Sequence, residues 1–373
     1  MKFIISSTEL YHHLSLAYGA ISRNAVLAIL ENFLFELENG KLRITGSNLD
    51  TTIVTETEDL DIQEAGALAI KANILIDTLR DMPDQPLEFK HENEDHNISL
   101  HSSYGNYKIP CEAAEDYPEM PSAETVGFAD LPSDDLEEMI NTTIFATSND
   151  ELRLAMNGIY LDFSTEDTYA VATDAHKLVR YKLNKSGQQS GEGIIIPKKA
   201  IKIIKALLGN AEQIGFGFEE SFVYFKIDSM TVISRLITQK YPNYQNVIPT
   251  QIESKMTIDR VDLLNSLKRT SNFANKTTNQ VNFDIRDDQL KLMAQDMDFN
   301  SEAVETITCE FNDEPLEISF NSVFLIEMLN AIDADKIQFH FTSARTACLI
   351  FGLNEDHQPD EKVLMLIMPV AYN

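Results

Sequence analysis

Apolar and polar positions follow the same order three times along the chain, beginning near residues 2, 126 and 255. Each repeat starts with a short apolar run, continues through a polar break, and then carries apolar residues at helical spacing. An alternating stretch typical of a strand follows in each repeat. Equivalent positions are about 125 residues apart, which suits whole domains better than the units of a solenoid. The pattern therefore predicts three similar domains, at residues 1–125, 126–250 and 251–373.

Each repeat contains two stretches in which apolar residues recur every three or four positions, as they do on the buried face of a helix. The residues predicted to open these six helices are Ser7 with Thr8, Ala72, Ser133, Pro197, Asp259 and Asn321. The predicted apolar stripes are Leu10, Leu14, Ala17 and Ile21; Ile74, Leu75 and Leu79; Leu136, Met139 and Ile140; Ile201, Ile204 and Leu208; Val261, Leu264 and Leu267; and Val323, Phe324, Ile326 and Leu329.

Between the helices, alternation of apolar and polar residues predicts strands. They are expected at residues 33–37, 41–45, 98–100, 107–109, 159–163, 223–227, 231–237, 281–285, 336–341 and 364–368. Proline-containing segments at 117–121 and 241–244 are interpreted as connectors, and the tract 185–193 as a loop. The predicted fold class is α+β: three domains, each with two helices packed on antiparallel sheet.

The composition is strongly acidic, with 30 Lys and Arg against 59 Asp and Glu and a formal charge of −29. Such a charge argues against ordinary adhesion to nucleic acid, which needs clustered basic residues. The chain has no apolar run of about 18 residues, so we expect no membrane span. The first residues lack a signal-peptide profile, and the three cysteines show no C-x-x-C spacing. We therefore expect a cytoplasmic protein with free thiols.

Basic residues are nevertheless concentrated on helices. Lys198, Lys202 and Lys205 share one face of the helix after Pro197, in a stretch that contains no acidic residue. A solvated amphipathic face would give the same pattern in an isolated helix. Basic residues also accompany helices of the other repeats, at Lys71, Arg80, Lys268, Arg269 and Lys276. The distribution indicates a positively charged surface in an otherwise acidic molecule.

Catalytic and metal-binding patterns are weak. Asp174 and His176 are two residues apart, which allows either acid–base chemistry, for instance in a hydrolase, or a hydrogen-bonded turn. No G-x-S-x-G motif accompanies this pair. The spacing of the histidines does not match a zinc helix, and Gly215 and Gly217 belong to a strand-like stretch rather than to a phosphate-binding loop. The sequence predicts no metal and no cofactor.

Several segments, in this order along the chain, are similar to those of bacterial sliding clamps, the β subunits of DNA polymerase III. They are residues 27–30, Asn157 with Gly158, residues 172–178, residues 234–237 running into 241–244, Asn321, and Met368 with Pro369. The resemblance covers the whole chain. It implies three similar domains per chain, and two chains that close head-to-tail into a six-domain ring around duplex DNA. In such a ring the helices line the hole and the chain has no catalytic role.

The resemblance also implies three sets of functional residues. The candidates for contact with DNA are Arg23, Lys71, Arg80, Lys198, Lys199, Lys202, Lys268, Arg269 and Lys276. The candidates for an apolar pocket that takes short peptide motifs are Arg153, Met156, Thr173, His176, Lys177, Leu178, Pro242, Val247, Asn321, Phe324, Leu366, Met368, Pro369 and Val370. The candidates for the homodimer interface are Tyr107, Phe273, Glu302 and Glu305.

The chain departs from the family pattern at several of these places. Leu154 and Ala155 stand where well-known members have two tyrosines, Asn246 and Ala371 stand in place of arginines, and Ala175 stands in place of a glycine. The resemblance implies that the DNA polymerase III alpha subunit, the clamp loader and repair proteins use the pocket. Two other interpretations of the residues are an enzyme that uses Asp174 and His176, and a monomeric scaffold that binds peptides but not DNA.

Overall fold

The computed structural model describes residues 1–22, 25–92, 96–164, 167–183, 193–209 and 211–370. Arg23, Ala371 and most of the predicted loop 185–193 lie outside these residues. The chain packs as two compact units. Unit 1 contains Met1–Asp134 and Lys199–Leu236, and unit 2 contains Asp135–Lys198 and Ile237–Asn373. The predicted second segment, 126–250, contributes to both units, and its boundaries stay a prediction.

The described residues include six α-helices, two for each predicted domain. They are α1 (Ser7–Tyr18), α2 (Ala72–Arg80), α3 (Ser133–Thr143), α4 (Lys198–Leu207), α5 (Arg260–Thr270) and α6 (Ser322–Ala331). Asp259 and Asn321 cap α5 and α6 through their side chains, as the sequence predicts. The cap of α1 is Ser6 instead of Ser7, because the Ser6 hydroxyl accepts from the amides of Thr8 and Glu9. Pro197 ends a strand, and α4 begins one residue later.

The first strands are β1 (Lys2–Ser6), β2 (Asn32–Glu38), β3 (Lys41–Ser47), β4 (Thr51–Thr57), β5 (Leu60–Glu64), β6 (Gly66–Lys71), β7 (Pro86–Lys90), β8 (Asn97–His101), β9 (Asn106–Ala113), β10 (Ala129–Pro132), β11 (Gly158–Asp162), β12 (Thr168–Thr173), β13 (Lys177–Leu183) and β14 (Ile194–Pro197). The others are β15 (Gln213–Phe218), β16 (Phe222–Ile227), β17 (Met230–Arg235), β18 (Ser254–Asp259), β19 (Gln280–Arg286), β20 (Gln289–Asp296), β21 (Ser301–Thr308), β22 (Leu316–Asn321), β23 (Lys336–Phe341), β24 (Cys348–Gly352) and β25 (Val363–Ile367).

Unit 1 contains a 13-stranded antiparallel sheet in the order β10-β15-β16-β17-β4-β3-β2-β6-β9-β8-β7-β1-β5. The pairing of β17 with β4 joins strands that are far apart in sequence, with Val232 opposite Ile53. Helices α1 and α2 pack beside this sheet. Their apolar faces share a core with Phe3, Phe35 and Phe89, all of which are fully buried. Burial of such aromatic side chains supplies much of the packing energy of a domain.

Unit 2 contains two antiparallel sheets among its described residues. The eight-stranded sheet has the order β14-β11-β12-β13-β25-β24-β23-β18, and the four-stranded sheet has the order β21-β20-β19-β22. The pairing of β13 with β25 places Leu178 opposite Leu366. Helices α5 and α6 pack together beside the fully buried rings of Phe283 and Phe339, whose centroids are 6.2 Å apart.

Three of the predicted apolar stripes are wrong at one position each. Ile74, Val261 and Val323 lie in the first turns of α2, α5 and α6, and their side chains are 42%, 46% and 43% exposed. The residues that are buried in their place are close in sequence, for example Ile76 in α2, Leu263 in α5 and Leu325 in α6. Ile21 is also misassigned, because α1 ends at Tyr18. An apolar residue in a first turn satisfies the helical period without facing the core.

Candidate functional site

The turn between β12 and β13 is held by its own side chains. The Thr173 hydroxyl donates to the Lys177 carbonyl at 2.7 Å. Asp174 Oδ1 accepts from the backbone amides of His176 and Lys177, both at 2.9 Å. Such aspartate–amide bonds mimic a backbone turn and fix its shape. The interpretation of Asp174 and His176 as a hydrogen-bonded turn is therefore confirmed.

Ala175 occupies this turn with a φ of +76°. This left-handed conformation is open to glycine but costs a residue with a Cβ about 1–2 kcal/mol. The sequence comparison with sliding clamps expects a glycine at this position. The alanine is held in this conformation because its own amide donates to the Thr173 hydroxyl and the next amide, of His176, donates to Asp174. The turn is thus a locally strained element whose shape is set by hydrogen bonds.

Lys177 is the most constrained charged residue of the site, since its side chain is only 5% exposed. Its ammonium nitrogen lies 2.8 Å from Asp174 Oδ2 and 3.2 Å from Glu327 Oε2. It also lies 4.1 Å from the centroid of the Phe324 ring. Two carboxylates and an aromatic face replace the water that a buried ammonium loses. Glu327 was not among the predicted residues; its spacing of three residues from Phe324 is the sequence signal that points to it.

Phe324 is placed by the first turn of α6. The Asn321 side chain caps this helix by accepting from the amides of Val323 and Phe324 at 2.9 and 3.4 Å. The cap directs the half-buried Phe324 ring towards the β12–β13 turn, where it stacks on the His176 ring at a centroid distance of 6.1 Å. Helix α6 and the turn therefore form one surface, of which His176 is the exposed edge.

The segment after β25 is attached to the same surface. The amide of Met368 donates to the His176 carbonyl at 2.8 Å, and the amide of Val370 donates to the Ser319 carbonyl at 2.8 Å. Met368 is 39% exposed, whereas Leu178 and Leu366 beneath it are 2% exposed. The result is an apolar patch with a buried floor and an accessible thioether.

The remaining candidates of the pocket belong to segments that share a core with Leu178 and Leu366. Tyr241 and Tyr244, which flank Pro242, are buried in that cluster, and Ala155, which precedes Met156, packs against it. Val247 is 52% exposed at the end of the same connector. Arg153 is half-exposed and forms an ion pair with Asp150 at 3.4 Å. The predicted pocket residues thus occupy adjoining segments of unit 2, with Asn246 exposed beside Val247.

Most of the described basic candidates lie at the starts and ends of helices, and several are already paired. Lys71 precedes α2 and contacts Glu31 at 2.6 Å, while Arg80 ends α2 and contacts Asp77 at 2.9 Å. In α4 the Lys198 ammonium donates to Asn149 Oδ1 at 2.9 Å, whereas Lys199 and Lys202 are exposed. The last turn of α5 carries Lys268 and Arg269, and Lys276 is exposed on the loop that follows. Arg80, Lys268 and Arg269 lie in the last turns of their helices, where cations complement the helix dipole, so the placement of these three has a structural reason as well.

The candidates for a subunit interface are found on strand and helix ends. Tyr107 lies on β9 and packs against the core of unit 1. In unit 2, β21 is an edge strand of the four-stranded sheet and carries Glu302 and Glu305. Glu305 accepts two bonds from Arg269, at 2.5 and 2.8 Å, and Phe273 is 41% exposed. An edge strand offers unpaired backbone groups for pairing with another chain.

The described residues contain no group of three or more His, Cys, Asp or Glu that could hold a metal ion. Cys111, Cys309 and Cys348 are buried, and none of them forms a disulfide with another described residue. Burial raises the pKa of the Cys309 thiol to about 11, which keeps it protonated and unreactive. In the part of the chain that is described, no helix is long and apolar enough to cross a membrane.

Comparison with known proteins assigns the family. Three family models match successive parts of the chain: the N-terminal domain of the DNA polymerase III beta subunit at residues 1–121, its central domain at 130–243 and its C-terminal domain at 245–371. The chain belongs to the DNA polymerase III beta subunit family. The predicted fold class is confirmed with it: this is the three-domain clamp fold, with mixed helices and antiparallel sheet. Members of this family are non-catalytic, so the interpretation as a hydrolase is wrong.

Individual relatives match over their full length. The beta sliding clamp of Haemophilus influenzae is 24% identical over 371 residues, covering 99% of this chain and 100% of the relative. That of Synechococcus elongatus is 26% identical, covering 99% of each chain. Among solved structures, the DNA polymerase sliding clamp from Pseudomonas aeruginosa with ligand has a TM-score of 0.92, 24% identity and 100% coverage of both chains. The clamp from Bartonella birtlesii bound to griselimycin has a TM-score of 0.90 and 26% identity, again with 100% coverage of both chains.

Proposed function

We propose that this chain is a DNA sliding clamp, a processivity factor that forms a homodimeric ring around duplex DNA of any sequence. The observation that carries this proposal is the series of three consecutive matches to one family, at residues 1–121, 130–243 and 245–371. A ring of two such chains has six domains. It keeps the DNA polymerase III holoenzyme on its template without a chemical step of its own.

The charge distribution supports this function. A closed ring holds DNA by enclosure, so it needs little binding free energy and tolerates a net charge of −29. Strong phosphate contacts would oppose sliding, because each one adds affinity through counterion release. The exposed Lys199, Lys202 and Lys268, with several other basic candidates, are suited to weak, screened contacts that centre the duplex.

The surface formed by the β12–β13 turn, α6 and the segment after β25 supports a second role, the capture of partner peptides. Leu178 and Leu366 form an apolar floor, and Met368 is accessible above it. A short motif with leucine or phenylalanine anchors fits such a surface, since buried apolar anchors supply most of the affinity of small interfaces. We assign this surface to motifs of the DNA polymerase III alpha subunit, the clamp loader and repair proteins. Tethering raises the effective concentration of the polymerase at the primer end.

The decisive experiment tests enclosure. The protein is loaded by a clamp loader onto a nicked circular plasmid, separated from free protein by gel filtration, and incubated before and after a restriction enzyme linearises the DNA. We expect retention on the circle and release from the linear form. Equal retention on both forms would show binding by adhesion and contradict the proposal. Sedimentation provides the matched control, because the protein should run at about twice its chain mass of 42.1 kDa.

A second experiment tests the peptide surface and the scaffold alternative. We expect a leucine-rich peptide from the polymerase to bind in calorimetry, and deletion of residues 368–373 to abolish that binding. Retained affinity in the deleted chain would remove the proposed surface. A chain that binds the peptide but sediments as a monomer and leaves circular DNA freely would instead be the monomeric scaffold.

A further inference from the structure

The charges around the β12–β13 turn do not cancel. Lys177 is the cation at the centre, and both Asp174 and Glu327 bind its ammonium, at 2.8 and 3.2 Å. One positive and two negative charges leave this cluster with a net charge of −1. The aromatic face of Phe324, 4.1 Å from the ammonium, further screens the positive charge from the surface.

The three charged side chains differ in their exposure, and therefore in how far a bound peptide could contact each of them. The Lys177 side chain is 5% exposed and the Asp174 side chain 17% exposed, while Glu327 is 39% exposed. The Glu327 Oε2 atom is buried against the ammonium and accepts no hydrogen bond from the other described residues. The accessible charge at this edge of the peptide surface is therefore a carboxylate, although the sequence places a lysine there.

The other charged residues of the proposed peptide surface do not cancel this negative charge. Arg153 is opposed by Asp150 at 3.4 Å, and the exposed Glu151 precedes it in the same turn. The Lys198 ammonium is held by Asn149, so the segment 149–153 together with Lys198 has two positive and two negative charges. Asn246, exposed beside Val247, adds none. The excess negative charge is thus at Glu327.

We propose that Glu327 determines specificity, and that the surface prefers partner peptides with a lysine or arginine beside the leucine anchor over peptides with an aspartate there. This inference rests on the proposed function of the surface. A lysine ammonium that approaches Glu327 completes the charge balance of the cluster, whereas an aspartate meets a like charge. Charges at the rim of an interface act mainly on specificity and are screened by salt. We expect a preference of about two- to fivefold, the size of a partly exposed ion pair.

The test uses three synthetic peptides of equal length that differ only in the residue before the leucine anchor, which is Asp, Ser or Lys. Calorimetry with the full-length protein at low salt should give the order Lys, Ser, Asp from tightest to weakest. High salt should reduce the difference between Lys and Asp. Glu327→Gln should reduce it at low salt as well, with Ser binding almost unchanged. Glu355→Gln removes an equal charge from the exposed loop after β24 and should leave the preference intact.

The outcomes separate this inference from the function on which it rests. If none of the peptides binds, the peptide surface itself is refuted. If all three bind with equal affinity, or the Asp peptide binds most tightly, the surface stands and the specificity is overturned. If Glu327→Gln lost its fold, as judged by circular dichroism, Glu327→Lys in the same assay would replace it, and the preference should then reverse. A preference that persists in both variants would contradict the role of Glu327.

Discussion

The Lys177 ammonium lies 4.1 Å from the centroid of the Phe324 ring, across the gap between β13 and α6. This contact joins a residue on the β12–β13 turn to a residue in the first turn of a helix that follows almost 150 positions later. The same ammonium is held by Asp174 on its own turn and by Glu327 one helical turn beyond Phe324. One buried cation thus fixes the relative position of the two elements that bear the proposed peptide surface.

Replacement of this cation should be costly. Lys177→Met keeps the aliphatic volume but leaves Asp174 and Glu327 facing each other without a counter-charge. Removing one partner of a fully buried pair costs about 3–5 kcal/mol, and the partial exposure of Glu327 lowers our expectation to about 1–3 kcal/mol. Urea denaturation followed by circular dichroism measures the loss, and peptide affinity should fall with it because Phe324 loses its support.

The matched control for that variant is Lys182→Met on the same strand. Lys182 pairs with Asp167 at 2.7 Å, but the side chains are 44% and 35% exposed. Exposed ion pairs contribute about 0–1 kcal/mol, so the control should lose little stability and no peptide affinity. An equal loss in both variants would show that burial of Lys177 has no special role.

Ala175→Gly should stabilise the protein. The φ of +76° costs alanine about 1–2 kcal/mol, and glycine removes that cost but adds about 0.5–1 kcal/mol of entropy to the unfolded chain. We expect a net gain of about 0.5–1 kcal/mol in the free energy of unfolding. Ala206→Gly, on the exposed side of α4, is the control and should lose about 0.5–1 kcal/mol. A loss of stability in Ala175→Gly would mean that the turn is not strained.

The fold was predictable from the sequence because its pattern is repeated. Periodicity placed six helices and ten of the 25 strands among the described residues, and errors such as Val261 arose where a first-turn residue keeps the period but faces solvent. Which strands pair with each other was harder to predict from the sequence. Alternation identified β17 but not β4, and it contains no information that Ile53 lies opposite Val232. Such pairings depend on packing between parts of the chain that are distant in sequence.

For the site, candidate residues could be predicted but their geometry could not, and their role stays a prediction. The resemblance to sliding clamps gave Thr173, Lys177 and Phe324 as neighbours, but not the distances that make Lys177 a buried and fully compensated cation. Glu327 was missed because an acidic residue on an amphipathic helix is ordinarily solvated. A spacing argument could have found it, since Glu327 lies three residues after Phe324 and so shares its face of the helix.

Charge reversal on α4 should weaken contact with DNA without affecting assembly. Lys199→Glu with Lys202→Glu removes two exposed cations of the proposed channel. If both contact phosphates, the slope of log affinity against log salt for DNA should fall by about 2, and processive synthesis should shorten. Sedimentation should still give a dimer. The control, Lys90→Glu with Lys240→Glu, makes the same change of charge at lysines outside the candidate set. If it had an identical effect, the lysines of α4 would not line the channel.

His340 should give unit 2 a pH-dependent stability. It is 8% exposed on β23, its Nε2 lies 2.6 Å from Gln338 Oε1, and burial, followed by the charge of Lys255, lowers its pKa to about 4. The folded state therefore favours the neutral ring, whereas the unfolded chain takes up a proton near pH 6.5. The contribution of His340 to the free energy of unfolding is fully present above pH 6.5 and is lost as the pH falls towards 4.

The contribution of His340 to stability can be isolated by comparing the wild-type protein with variants at two pH values. Between pH 7.5 and 5 the wild-type protein should lose about 2 kcal/mol more than His340→Gln, since each unit of pKa shift corresponds to about 1.4 kcal/mol. Glutamine can still donate to Gln338. Because the chain has no tryptophan, far-UV circular dichroism in urea is the suitable measurement. His357→Asn, at an exposed position whose φ of +59° asparagine tolerates, should behave like wild type. A parallel pH profile for His340→Gln and wild type would show that His340 titrates normally in the folded protein.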